Sequence, residues 1–308
     1  MLRIYTDHTN QTDLNFRHHE GKKMTSEAPQ NQTLLSAQLS VRYAGKQPVL
    51  RDLRLEIQRG EVLGLVGQSG SGKSTLAMAI LGLLDRKRSR AEGTIRFQDA
   101  DLLRLSEREL RALRGRAVAL VLQSPLSSLN PALKIRTQFK EAWRAHASGT
   151  GADCMNAIRA SLQSVSLPVD DEFLRKYPSQ MSVGQAQRVL IAMAVMHRPA
   201  LLIADEATSA LDVITQSEIL ALFRELNRST GMAILYISHD LASVAGICDR
   251  IAILHQGEIV ECGTTGQIFA DPQHEYTQRL MAAMPRLSPA SAPSLERQKA
   301  KTEAASAR

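Results

Sequence analysis

Apolar residues along this chain follow two rhythms. In LSAQLSVRY and LRDLRLEI, between Leu35 and Gly60, polar and apolar positions alternate, the period of a strand with one face in a core. This predicts two half-exposed strands joined by a turn at Ala44-Gly45-Lys46, forming an antiparallel edge. Elsewhere the apolar runs are short and unbroken: Val62 to Val66, Val118 to Leu122, Leu201 to Ala204 and Ala233 to Ile237. Such runs fit strands buried on both faces. Helical spacing between them predicts helices in TLAMAILGLL after Val66, over Glu107 to Arg116, over Val189 to Val195 and over Ile214 to Leu226. Alternating strand and helix implies a mostly parallel sheet with flanking helices. From Pro131 to Pro178 the pattern is mostly helical, with loop signals at Ser148 to Gly151, and a helical insert is assigned to about residues 131–188.

Residues 1–33 are polar and aperiodic and are expected to be a disordered leader, with Met24 as a second candidate start. After Pro285 the composition shifts to Ser, Ala, Pro, Lys and Arg, which predicts a disordered tail over 286–308. The main domain is expected over 34–263, and HEYTQRLM within 264–285 is expected to be a docking helix. No internal repeat is evident.

The chemistry lies at the joints between these elements. Gly67-Gln68-Ser69-Gly70-Ser71-Gly72-Lys73-Ser74-Thr75 is a G-x-x-x-x-G-K-[ST] loop in the required strand–loop–helix order. Its glycines let backbone N–H groups turn toward phosphates, Lys73 brings a point charge, and the Ser74 hydroxyl suits a magnesium shell. The chain is therefore expected to bind a nucleoside triphosphate. Asp205 and Glu206 follow the run Leu201 to Ala204, at a strand end where parallel sheets bind ligands. Adjacent carboxylates point to different sides. Asp205 can then serve a metal shell while Glu206 faces an attacking water as general base. The fold class that follows is α/β: a P-loop NTPase core with an antiparallel β edge subdomain and a helical insert.

Composition narrows the class. In 308 residues, 44% hydrophobic and 22% charged is ordinary for a globular protein, while 4% aromatic is too little for a base-stacking surface, so no nucleic acid is expected as partner. The net charge of +7 comes from basic residues interleaved with acids and does not mark a basic tract. No apolar run approaches the roughly twenty residues of a membrane helix. Cys154, Cys248 and Cys262 fit neither a metal nor a disulfide pattern.

With these motifs in place, the sequence resembles the ATP-binding cassette family from Leu35 to about Gly263. Gln123 matches its Q-loop, and Met181-Ser182-Val183-Gly184-Gln185 its signature, otherwise Leu-Ser-Gly-Gly-Gln. Ser209-Ala210-Leu211-Asp212 matches the D-loop, and His239 the switch histidine. Tyr43 stands where the family stacks a ring on adenine. The resemblance implies ATP and Mg2+ as cofactors. Lys73 and the loop amides would hold the β- and γ-phosphates. Ser74, Gln123 and Asp205 would arrange the metal, Glu206 would polarise water, and His239 would steady the γ-phosphate. Ser182 and Gly184 would reach the γ-phosphate of ATP bound to a second cassette, identical or paralogous, and Gln185 and Asp212 would belong to the nucleotide-binding set. Val183 departs from the signature by placing a β-branched residue where glycine is usual.

SPLSSLNP after Gln123, the preceding DLLRLSERELRALRGRAVALVLQ and the ending DPQHEYTQRLMAAMP are similar to cassettes of oligopeptide, dipeptide and nickel importers. The implied partners are transmembrane permease subunits, a second cassette and, indirectly, a solute-binding protein, at the cytoplasmic face of the inner membrane. No cysteine follows Cys262, so no iron–sulfur cluster is expected in the tail. The alternative is a soluble cassette ATPase of the DNA-repair or translation type. The former would need coiled-coil arms or a zinc module, and the latter usually fuses two cassettes.

Overall fold

The computed structural model describes residues 33–283 except Lys46 and Arg86. Nearly all of the expected leader and the whole expected tail lie outside the described residues, as does Lys46 of the expected turn. β1 (Thr33–Tyr43) and β2 (Pro48–Gln58) pair antiparallel, with Ala37 opposite Leu55 and Leu39 opposite Leu53. Their alternation buries Leu35, Ala37, Leu39 and Val41 on one face of β1 and Leu50, Leu53, Leu55 and Ile57 on β2. β3 (Val62–Val66) is buried at every position and leads through the phosphate loop into α1 (Lys73–Ile80). β4 (Ser89–Phe97) and β5 (Ala100–Asp101) complete a four-stranded sheet in the order β2-β1-β4-β5. β4 was not expected: only its last turns of sequence, Ile95 and Phe97, are buried, and its charged start reads as loop.

α2 (Glu107–Leu113) opens on a Ser106–Glu109 capping box, and β6 (Val118–Val121) follows. α3 (Pro125–Ser128) precedes the expected insert, whose range holds α4 (Ile135–Arg144), α5 (Gly151–Ser164), α6 (Asp171–Arg175) and the start of α7 (Val183–Val195). α7 starts six residues before the expected Val189 because Ser182 caps it. β7 (Leu201–Asp205), α8 (Val213–Thr230), β8 (Ala233–Ser238) and α9 (Leu241–Ile247) continue the alternation. β9 (Arg250–His255), β10 (Glu258–Thr264), α10 (Thr265–Ala270) and α11 (Glu275–Ala282) close the described chain, α11 covering the expected docking helix.

The second sheet has the order β10-β9-β3-β8-β7-β6, parallel except for the β9–β10 hairpin. Its continuous apolar runs have a physical cause in two separate cores. Leu63, Leu65, Ile203, Leu235 and Leu254 face a core shared with β1, β2 and α1. Val62, Leu202, Ala204, Ile234, Tyr236 and Ile253 face another shared with the insert, α8 and α9. Both faces exclude water, so polar alternation would leave unpaired groups inside. Among the described residues no helix is long and apolar enough to cross a membrane.

Candidate active site

The carboxyl ends of the parallel strands bring the sequence-predicted core residues to one edge. Gly67 follows β3, Gln123 follows β6, Asp205 ends β7 with Glu206 next, and His239 follows β8. Tyr43 is half-buried at the end of β1, opposite Ser89. Gln123 is exposed, as are Gln68, Ser69 and Gly70 at the crown of the phosphate loop.

Two glycines make the loop possible. A Cβ on Gly67 would lie 2.2 Å from the Leu254 carbonyl oxygen. Gly72, the residue before α1, has φ 112°, and a Cβ there would meet Leu50 Cδ2 at 2.5 Å. Lys73 Nζ donates to the carbonyls of Gly67 at 2.8 Å and Gln68 at 3.0 Å, bridging the start of the loop from below. Burial pulls the Lys73 ammonium below its ordinary pKa, against the opposing pull of Glu206 and Asp205. The Ser71 hydroxyl is buried with no protein partner.

Asp205 is buried, and burial raises its carboxyl pKa; a hydrogen bond with Ser74 and the charge of Lys73 work against that rise, and Glu206 adds to it. Its Oδ1 has no protein partner. Glu206 adopts φ 50°, the left-handed region that costs a non-glycine residue about 1–2 kcal/mol. The backbone holds it there from both sides: Glu206 N donates to Ile237 O at 2.9 Å, and Ser209 N and Oγ donate to Glu206 O at 3.1 and 3.0 Å. The Glu206 carboxylate reaches His239, whose Nδ1 is 3.4 Å from Glu206 Oε1. That is a long, loosely held contact.

Sequence reasoning missed the support behind this pair. Thr208 Oγ1 and Tyr236 OH are 2.8 Å apart, Tyr236 OH donates to Ser243 Oγ at 3.3 Å, and Ser238 Oγ lies 3.3 Å from Ser243 Oγ. Asp240 N donates to Ser238 Oγ at 3.0 Å. These buried hydroxyls tie the segment after Glu206 to the segment bearing His239. Each residue alone reads as core or helix cap. The one available signal is a tyrosine inside the apolar run AILYIS, where a buried hydroxyl needs a partner.

The signature is built differently. Ser182 Oγ accepts from Gln185 N at 3.1 Å, and Gln185 Oε1 accepts from Ser182 N at 3.2 Å. The motif is thus a capping box on the first turn of α7. Val183 takes the first helical position without left-handed backbone, and its side chain is 40% exposed. The absent glycine therefore costs no conformational freedom that this turn uses. Gly184 is the tighter position, since a Cβ there would lie 2.8 Å from Thr215 Cγ2. Thr215 belongs to the next helix: Asp212 caps α8, accepting from Thr215 N at 3.0 Å, from Thr215 Oγ1 at 2.7 Å and from Ile214 N at 3.1 Å. These bonds, the Thr215 backbone N–H first, hold the Asp212 carboxyl below its ordinary value. Beside it Val213 and Ile214 stand 82% and 75% exposed.

Residues 50–209, just over half the chain, match the family described as ABC transporter. The chain belongs to that family. Residues 260–307 match the description "Oligopeptide/dipeptide transporter, C-terminal region". The cassette is 39% identical to the dipeptide transport ATP-binding protein DppD of Bacillus subtilis over 80% of this chain and 73% of that protein. It is 42% identical to the glutathione import ATP-binding protein GsiA of Escherichia coli O157:H7, over 79% of this chain and 40% of that longer protein. Among solved structures, the dimeric post-hydrolysis state of the ATP-binding cassette MJ0796 bound to ADP and Pi aligns with a TM-score of 0.65 at 26% identity, covering 75% of this chain and 98% of that one. CbiO1 of Clostridium perfringens aligns with a TM-score of 0.69 at 25% identity, covering 83% and 97%. The cassette is an ATPase of the α/β P-loop class, and ATP is its nucleotide.

Proposed function

We propose that this chain is the ATP-hydrolysing subunit of a bacterial importer for peptides or peptide-like solutes, bound to permease subunits at the cytoplasmic face of the inner membrane. A solute-binding protein would deliver the cargo, and nickel is retained as the other cargo of this branch. The observation that carries the reading is the joining of the cassette to a C-terminal region of the oligopeptide/dipeptide transporter type. The soluble-ATPase alternative has no comparable support.

Within the site, Tyr43 stacks on adenine, and Lys73 with the amides of Gly67 to Thr75 holds the phosphates. The buried unpartnered Oδ1 of Asp205 and the Ser74 hydroxyl bonded to the same carboxylate make a hard-oxygen pair suited to Mg2+, with Gln123 at its rim. The ion supplies charge neutralisation across the phosphates. Glu206 orients the attacking water and accepts its proton, while His239 steadies Glu206 and faces the γ-phosphate. Ser182, Gly184, Gln185 and Asp212 serve the nucleotide held by the other cassette, so ATP favours the closed pair, and hydrolysis removes that preference. The exposed Leu122 and Leu126 flank Gln123 and offer the permease an apolar contact beside the residue that senses the nucleotide.

The test is ATP turnover by the purified chain, alone and in liposomes with a peptide permease and second cassette of its own organism, with and without binding protein and peptide. Turnover that rises on assembly and rises again with loaded binding protein is expected. Equal turnover in every condition would move the assignment to a soluble cassette ATPase.

A further inference from the structure

Four of the parallel strands end at residues already given a role; the fifth, β9, ends at His255, whose ring lies against α11, the last of the described helices. The rings of His255 and Tyr276 stack with centroids 3.8 Å apart and planes at 24°. Tyr276 is buried on α11, and α11 is fastened to β10 at its own start: the Glu261 carboxylate accepts from Gln273 N at 2.8 Å and His274 N at 3.0 Å. The helix therefore grips both strands of the β9–β10 hairpin.

The same hairpin supports the phosphate loop. The carbonyl of Leu254, one residue before His255, occupies the space that a side chain on Gly67 would need. Beyond His255 the chain turns through Gln256 at φ 48° and Gly257. Gly257 O accepts from Arg51 N at 2.9 Å, and a Cβ on Gly257 would lie 2.4 Å from Val49 O. Val49 and Leu50 are in turn the residues against which Gly72 packs. The hairpin thus touches the first glycine of the loop directly and the last through β2.

We infer that His255 is a positioning residue for the phosphate loop, and that its stack on Tyr276 is the device through which α11 sets ATP affinity. A packed backbone contact with no side-chain slack passes a small shift of β9 on to Gly67. By linkage, ATP in the loop must tighten the seating of α11 by the same factor that α11 tightens ATP. The inference needs only ATP binding by this chain and is independent of peptide import.

The experiment uses the full chain and measures ATP Kd in a nucleotide-binding assay, KM and kcat, and amide exchange of α11 with and without ATP. An aromatic pair of this kind predicts that His255→Ala and Tyr276→Leu each raise Kd and KM for ATP about 3- to 10-fold, with kcat changed by less than about twofold. His255→Phe, which keeps a stacking ring, should restore affinity, and the double variant should be no worse than either single. ATP should slow exchange in α11 of the parent chain and leave it unaltered in His255→Ala. Ile268→Ala, buried in the neighbouring α10, serves as the stability control. The inference is overturned if both ring variants bind ATP normally, if Ile268→Ala weakens ATP equally at a matched loss of Tm, or if His255→Phe binds as poorly as His255→Ala.

Discussion

The two halves of the proposed nucleotide site in this cassette are made in opposite ways. The phosphate-loop half is enclosed: Gly67 and Gly72 have backbone or side chain where a Cβ would be, Asp205 is buried, and Glu206 is held by hydrogen bonds on both sides. The signature half is a helix start whose polar groups bond one another, next to a second helix start at Asp212 with Val213 and Ile214 in solvent. One half is finished within the chain, and the other presents a surface for something else to complete. The MJ0796 cassette that aligns with this chain is dimeric. Enclosed sites respond steeply to small steric changes, because nothing around them can yield. Open ones respond mainly when a neighbouring element is displaced.

This contrast orders the expected effects of substitution. Glu206→Gln removes the proposed base while keeping shape, so turnover should fall about 100-fold or more with ATP still bound; an ATPase assay beside a nucleotide-retention assay checks it. Gly67→Ala drives a methyl onto the Leu254 carbonyl and should weaken ATP binding at least about tenfold, measured by titration. Gly184→Ala collides with Thr215 Cγ2 and should lower turnover of the assembled pair several-fold without changing ATP affinity of the isolated chain. Thr215→Ser in the same protein removes the colliding methyl, keeps the hydroxyl for Asp212, and should recover the loss. Tyr236→Phe deletes the hydroxyl that joins Thr208 to Ser243 and should lower kcat about 2- to 5-fold, with a stability loss of about 1 kcal/mol. The smallest effect is expected for Val183→Gly. Restoring the usual signature glycine should leave turnover within about twofold and destabilise α7 by about 0.5–1 kcal/mol. A large gain in activity there would reverse the ranking of the two halves.

The sequence made the enclosed half legible because its chemistry sits at the ends of unbroken apolar runs. Leu201 to Ala204 announces both a buried strand and the place where Asp205 and Glu206 must emerge. The β1–β2 pair was legible for the opposite reason, since one wet face leaves a visible alternation. β4 was not: Arg90, Glu92 and Arg96 lie exposed along it, and its pairing with β1 is a backbone matter that composition conceals. The start of α7 was hidden because Val189 begins the apolar stripe while Ser182 begins the helix, and a cap is set by hydrogen bonds rather than by hydropathy. The contact of Gly184 with Thr215 joins residues far apart in the chain and could not be read from either motif. Val183 looked like a steric problem only while its backbone angle was unknown.

The left-handed turn at Glu206 has a consequence for how this position can change over time. A backbone angle of this kind suits glycine, asparagine or aspartate better than glutamate. Substitution to any of these would relax the local chain and stabilise the folded cassette while removing the reach of the carboxylate. With Glu206 in the role proposed above, random drift at this codon is rewarded by stability and opposed by the need for turnover. A lineage released from that need should lose this glutamate early, before its core begins to erode.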